Sequence, residues 1–269
     1  MIAKYTVEPE DSTLHLPRIL CLHGGGTNAQ IFNAQCRALK AQLKSTFRLC
    51  FANAPFPSDA GPDVLAVYKD AGPFRRWLRW QPWHAEIEAS TAVRAIDNAL
   101  RAPMEEDDRK GATGEWVGLL GFSQGAKMCA SLLFRQQVRA DWLGECRTET
   151  NFRFGVLIAG RGPLVSLDPE LVMNPSLVDA AHVGSQVSIS PDEQSMDHIL
   201  RLPTIHVHGL RDPGLELHKR LLEGYCEKES TRLIEWDGNH RVPIKDIVVA
   251  RIVREILAVA KETGVLRAG

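Results

Sequence analysis

Nowhere in this chain do two cysteines stand as a CxxC pair; the six lie scattered at 21, 36, 50, 129, 146 and 226. That spacing argues against a disulfide framework or a zinc site and for reduced, mostly buried thiols. An excess of charge is lacking too. The 32 Lys and Arg residues balance 33 Asp and Glu, leaving a net charge of -1 and no case for a nucleic-acid or anionic-membrane partner. A local exception is the basic group Arg75, Arg76 and Arg79. The stretch from Met1 to Pro17 has no apolar core of the secretory kind, and no uninterrupted apolar run could span a bilayer. A soluble, cytoplasmic protein is therefore expected. No internal repeat or composition shift marks a boundary, so 1–269 is read as a single domain, long enough for a substantial core.

What is present is an alternation of short apolar runs with helical patterns. Runs at Arg18 to His23, Phe47 to Ala52, Val117 to Phe122, Phe154 to Ala159, Thr204 to His208 and Thr231 to Trp236 read as strands. Helices are expected over about 29–43, 84–102, 124–138, 215–226 and 244–261, where apolar residues recur at helical spacing. Strands alternating with helices imply an α/β fold: a mostly parallel, doubly wound sheet with helices on both faces. Two segments stand apart. Residues 56–83 contain Phe74, Trp77, Trp80 and Trp83 among prolines, and so long a connection reads as an aromatic lid, with Phe74, Trp77 and Trp80 lining a substrate pocket or forming a satellite core under the loop. Residues 160–202 show little periodicity and read as an irregular, cap-like segment.

The chain's chemistry gathers on Gly121-Phe122-Ser123-Gln124-Gly125, where an apolar strand turns sharply into a helix. Glycines two before and two after the serine let strand and helix approach closely, leaving the Ser123 hydroxyl exposed at the top of the sheet. A duller reading has Ser123 merely capping the helix. Other residues decide between them.

Asp212 and His240 also stand just beyond strand ends, in the chain order Ser, Asp, His that α/β-hydrolases use. In that arrangement His240 takes the Ser123 proton as a carbonyl is attacked and returns it to the leaving group, while Asp212 fixes the imidazole. Asp237 is a reserve acid, on the same loop as His240. The loop Gly24-Gly25-Gly26 turns backbone N–H groups toward a cavity, so the Gly25 and Gln124 amides are the expected oxyanion donors, ahead of Gly24 and Gly26. Phosphate binding there is disfavoured, because neither a Walker lysine nor GxGxxG spacing follows. His23 is expected to order this loop. His206 and His208 share a strand face without a ligand-rich partner motif, so no metal and no organic cofactor is implied.

Taken together, LCLHGGGTN at 20–28, GPFRRWLRW at 72–80, GFSQGA at 121–126, IHVHGLRDP at 205–213 and GNHRVP at 238–243 resemble the FSH family of serine hydrolases. The resemblance implies an α/β-hydrolase fold without a large separate cap domain and a Ser123, Asp212, His240 triad. Because fungal members include esterases and thioesterases encoded with polyketide synthases, it also implies an acyl or polyketide ester or thioester substrate, presented by an acyl carrier protein in the thioester case. Asn53 stands where the family more usually has aspartate, and Asp237-Gly238-Asn239-His240 lacks a doubled glycine. An acyltransferase or cyclase would use the same triad, and a non-catalytic binding protein would have no need of it.

Overall fold

The computed structural model describes residues 11–62, 64–144, 148–168, 174–184 and 196–267. Cys146 and parts of the 160–202 segment lie outside them. In chain order the elements are β1 (Arg18–Leu22), α1 (Ala29–Gln35), α2 (Arg37–Leu43), β2 (Arg48–Ala52), β3 (Phe56–Pro57), α3 (Leu65–Tyr68), β4 (Arg75–Arg76), α4 (Ala89–Arg109) and β5 (Trp116–Phe122). There follow α5 (Gln124–Leu143), β6 (Phe154–Ile158), β7 (Val165–Ser166), β8 (Val178–Asp179), β9 (Thr204–Gly209), α6 (Leu215–Tyr225), β10 (Thr231–Trp236) and α7 (Asp246–Glu262).

Six of the strands form one sheet in the order β10-β9-β6-β5-β1-β2, every neighbouring pair parallel. The inner strands β1, β5, β6 and β9 are buried almost throughout because both of their faces are covered, whereas the edge strands β2 and β10 are partly open. In β1, Leu20 and Leu22 face a core shared with Val93 and Ile96 of α4, Leu133 of α5 and Leu221 of α6. Ile19 and Cys21 face the opposite core, with Phe32 of α1, Leu39 of α2 and Val249 and Ile252 of α7. The chain leaves β1 toward β2 on one side and reaches β5 on the other, so the order reverses between β1 and β5. A doubly wound sheet opens its ligand crevice at that point, beyond the carboxyl ends of the strands. The glycine loop after β1 and the elbow after β5 meet there.

Three helices differ from their expected extents, and the simplest case is α5, which runs on to Leu143 rather than ending near 138. The single helix expected over about 29–43 is broken at Cys36 into α1 and α2, Cys36 taking φ -81° and ψ 7°. α4 begins late, at Ala89, where the Glu88 carboxylate accepts from the Ser90 and Thr91 amides. It then continues past Pro103, where the sequence suggested a stop, through to Arg109. Buried Asp107 in that last stretch accepts from Arg48 Nε and Nη2 at 2.9 and 2.8 Å, tying the extra turns to β2. A buried, charge-assisted pairing outweighs the local cost of the proline.

Residues 56–83 are neither a single loop nor free of structure. β3 and β4 form a short antiparallel ribbon, with Phe56 opposite Arg76, and α3 lies between them. The ribbon is fastened to the glycine loop: Arg75 N–H donates to Thr27 O and Gly26 N–H to Arg75 O, at 2.7 and 2.9 Å.

Candidate active site

At the elbow, Ser123 takes φ 54° and ψ -116°, a region a residue with a side chain enters only under constraint. Its N–H donates to Ile158 O at 2.8 Å and its carbonyl accepts from Lys127 N–H at 3.1 Å, so β6 and α5 hold it from both sides. The flanking glycines are required by space. A β-carbon on Gly121 would lie 2.4 Å from the Gly125 carbonyl, and one on Gly125 would lie 2.0 Å from Leu22 O. Strand β5, helix α5 and strand β1 therefore touch backbone to backbone beneath the serine.

Three loops bring their side chains into one row. His240 Nε2 lies 2.9 Å from Ser123 Oγ and His240 Nδ1 2.6 Å from Asp212 Oδ2. Asp212 Oδ1 accepts from the Gly214 amide at 2.8 Å, fixing the carboxylate plane. Since Oδ2 can only accept, Nδ1 carries the proton and Nε2 faces the hydroxyl as an acceptor. Burial works against ionisation of Asp212, but the Gly214 amide and His240 outweigh it and hold the carboxyl below its ordinary range. Burial also lowers His240, and Asp212 opposes that shift without cancelling it. The row is thus a neutral imidazole between a hydroxyl and an anion.

Beside it, the Gly24-Gly26 loop is fixed by His23, as the sequence suggested. Its Nδ1 donates to Gly24 O at 2.7 Å and its Nε2 accepts from Ala54 N–H at 3.0 Å, and burial pushes its pKa down to about 4. Gly26 has φ 72° and its amide is already committed to Arg75 O. The amides of Gly25 and Gln124 donate to no acceptor among the described residues. A β-carbon on Gly25 would lie 3.4 Å from Gln124 Cδ, so the two loops are in contact. Asn53, where the family more usually has aspartate, accepts from the Ala29 amide at the start of α1.

The aromatic residues divide. Trp77, expected to line a substrate pocket, is 0% exposed and donates from Nε1 to His23 O at 2.9 Å, so it is core beneath the loop; the indole cannot reach an opening it is packed under. Phe74 and Trp80 are half-buried, and Trp80 Nε1 lies 3.4 Å from the position of a Gly25 β-carbon. Asp237, the reserve acid, is turned outward and pairs with Arg211 at 2.8 Å.

Two contributors were missed from sequence. The Gln124 side chain accepts at Oε1 from the Trp77 and Leu78 amides, at 2.7 and 3.2 Å, and donates from Nε2 to Leu78 O at 3.1 Å. His218, on the first turns of α6, is wholly buried with Nε2 3.7 Å from Asp212 Oδ2. Its place shortly after Asp212, on the inward side of a helix, was the available signal. Asp212, His218 and His240 bring possible ligand atoms within 4.8 Å of one another, but in this geometry His240 Nδ1 is already spent on Asp212. Among the described residues His206 and His208 join no cluster of possible metal ligands; His206 Nε2 meets Thr204 Oγ1 at 3.1 Å.

A family model described as "Serine hydrolase (FSH1)" matches residues 13–252. Esterase pigG of Monascus ruber is 60% identical over 265 residues, covering 96% of each chain. Esterase citA of the same organism is 57% identical over 258 residues, covering 96% of this chain and 97% of its own. Esterase claE of Penicillium crustosum is 55% identical over 260 residues, covering 95% and 97%. Among solved structures, a carboxylesterase from Mesorhizobium loti is 19% identical with a TM-score of 0.50, over 90% of this chain and 88% of that one. A point variant of Arabidopsis thaliana SOBER1 is 17% identical with a TM-score of 0.50, over 91% and 99%.

Proposed function

This chain belongs to the FSH1 family of serine hydrolases, and from that premise we propose that it is an esterase in which Ser123, His240 and Asp212 cleave an acyl ester or thioester through an acyl-enzyme. The observation that carries the reading is the row from Ser123 Oγ through His240 to Asp212 Oδ2, at 2.9 and 2.6 Å, on a strained elbow. Ser123 Oγ attacks the carbonyl carbon as its proton passes to His240 Nε2. The charge that develops on the carbonyl oxygen is met by the Gly25 and Gln124 amides, a contribution on the order of 3 kcal/mol per donor. Collapse of the tetrahedral adduct breaks the bond to the leaving alcohol or thiol, which takes the proton from His240. Water, deprotonated by the same imidazole, then releases the acid and restores Ser123.

For the acyl group we infer a polyketide-type chain, offered as a thioester on an acyl carrier protein, in fungal secondary metabolism. The family resemblance supports it, and the esterases of Monascus and Penicillium among the relatives support the fungal setting. Ser123→Ala is expected to abolish release of p-nitrophenol from p-nitrophenyl esters, and labelling by a fluorophosphonate probe, while leaving the circular dichroism spectrum unchanged. Unchanged turnover in the purified variant overturns the assignment. A series of acyl thioesters and p-nitrophenyl esters of graded length, with this variant as blank, reads the acyl preference. Product analysis separates hydrolysis from transfer or cyclisation.

A further inference from the structure

Between β4 and α4 the chain carries a set of nitrogen donors that the triad does not use. Arg76 is 2% exposed, its guanidinium 5.1 Å from the centroid of the Phe56 ring, and its Nε and Nη1 have no hydrogen-bond partner. Arg79 Nε, Trp80 Nε1 and His84 Nε2 are buried and unpartnered in the same way. The Trp80 and His84 rings lie 5.4 Å apart, edge to face, and the Trp80 amide donates to His84 Nδ1 at 3.4 Å. That bond leaves the His84 proton on Nε2. Guanidinium and indole nitrogens donate only, so all of these groups need acceptor atoms.

Negative charge to match them is scarce: Asp59 favours a charged His84, but its carboxylate already accepts from Trp83 Nε1 at 3.1 Å. Among the described residues no carboxylate pairs with Arg76, and the one beside Arg79 is Glu86 at 3.7 Å, 91% exposed. Burial lowers the pKa of Arg76, and repulsion by Arg79 adds to it; burial also lowers His84, with Arg76 next. A cation removed from water without a counter-charge is costly, and clusters of this kind mark places where a ligand completes the charge. The position fits a substrate. Trp77 and Leu78, which separate the two arginines, are bound to the Gln124 side chain, and Trp80 Nε1 borders Gly25.

We propose that Arg76, Arg79, Trp80 and His84 form an anion subsite that holds a carboxylate or phosphate group carried by the substrate. The proposal rests on hydrolysis at Ser123. The anion has two sources, a phosphate on the leaving arm, as in a phosphopantetheine thioester, or a carboxylate on the acyl chain. Matched pairs distinguish them: butanoyl phosphopantetheine against butanoyl pantetheine, and p-nitrophenyl hydrogen glutarate against its methyl ester.

The anionic member of one pair is expected to have a kcat/KM at least about tenfold higher, mostly through KM, as charge-assisted hydrogen bonds allow. In Arg76→Met the ratio should approach one, and Arg76→Lys should keep part of it. Calorimetric titration with inorganic phosphate should show binding to the wild type that Arg76→Met weakens, whether or not either ester is turned over. If Arg76→Met does not fold, Arg79→Met and Trp80→Phe carry the same comparison. The subsite is overturned if neither anionic member is preferred and phosphate does not bind, or if the preference survives in both arginine variants. Loss of Ser123-dependent turnover on the neutral esters would instead sink the reading of the reaction, leaving the phosphate titration to judge the subsite.

Discussion

At His240 two influences compete, and their balance sets a pH dependence. Burial favours the neutral imidazole, and Asp212, 2.6 Å away, favours the charged one; burial prevails, with Arg161 adding to it. Only the neutral form can accept the Ser123 proton, so kcat/KM should rise with pH through a limb that reports the free enzyme's imidazole. That limb is expected below about 6.5, the ordinary histidine value. Asp212→Asn removes the group that opposes the shift, so it should move the limb lower still and reduce kcat by roughly 10³ to 10⁴. A limb at or above the ordinary value, or one that moves upward in Asp212→Asn, contradicts this balance. The triad residues were legible in sequence because each stands in the turn that follows a strand, beside a turn-forming neighbour. Trp77 was not, since nothing in an aromatic-rich loop tells which indole turns inward; the hydrogen bond to His23 O selects it.

The elbow and the 56–83 segment are joined by a single side chain. Gln124 directly follows Ser123 and makes three hydrogen bonds to the backbone of Trp77 and Leu78. Removing them strands partly buried amides and a carbonyl, a cost on the order of 1–3 kcal/mol that falls on the 56–83 segment rather than the sheet. Gln124→Ala should therefore lower kcat/KM about tenfold or more with little change in far-ultraviolet circular dichroism, and red-shift tryptophan emission as Trp77 meets water. Wild-type kinetics in this variant would separate the 56–83 segment from the elbow. The inner strands and their order of appearance could be read from apolar runs because both of their faces are buried. Helix ends could not: Pro103 reads as a stop unless Asp107 is known to reach Arg48, and that partner lies 59 residues away.

Across the whole molecule, a row of imidazoles is folded into the interior without charge. Rings of His206, His208, His218 and His240 follow one another at centroid separations of 5.9, 5.5 and 6.1 Å, running from β9 to the reacting serine. Burial pushes His206 down to about 3 and His208 and His218 to about 4, and it does the same to His23 beneath the glycine loop. In the unfolded chain each would titrate near 6.5. Folding thus excludes protons that the unfolded state binds, so stability rises with pH in this window. The contribution of His23, His206, His208 and His218 is fully present above about 6.5 and is lost as pH falls toward their folded values, each at up to about 1.4 kcal/mol per pH unit. Most carboxylates of the unfolded chain are still ionised at about pH 5, so the loss between about pH 7 and 5 belongs chiefly to histidine. With total stabilities of roughly 5–15 kcal/mol, several kcal/mol is a large fraction, and Tm should drop by about 10 °C or more over that interval. His206→Gln or His218→Gln, which cannot titrate, should flatten the dependence even where it lowers the plateau. A Tm that holds or rises between about pH 7 and 5 would mean that these rings are protonated in the fold and that the row beneath the triad carries charge.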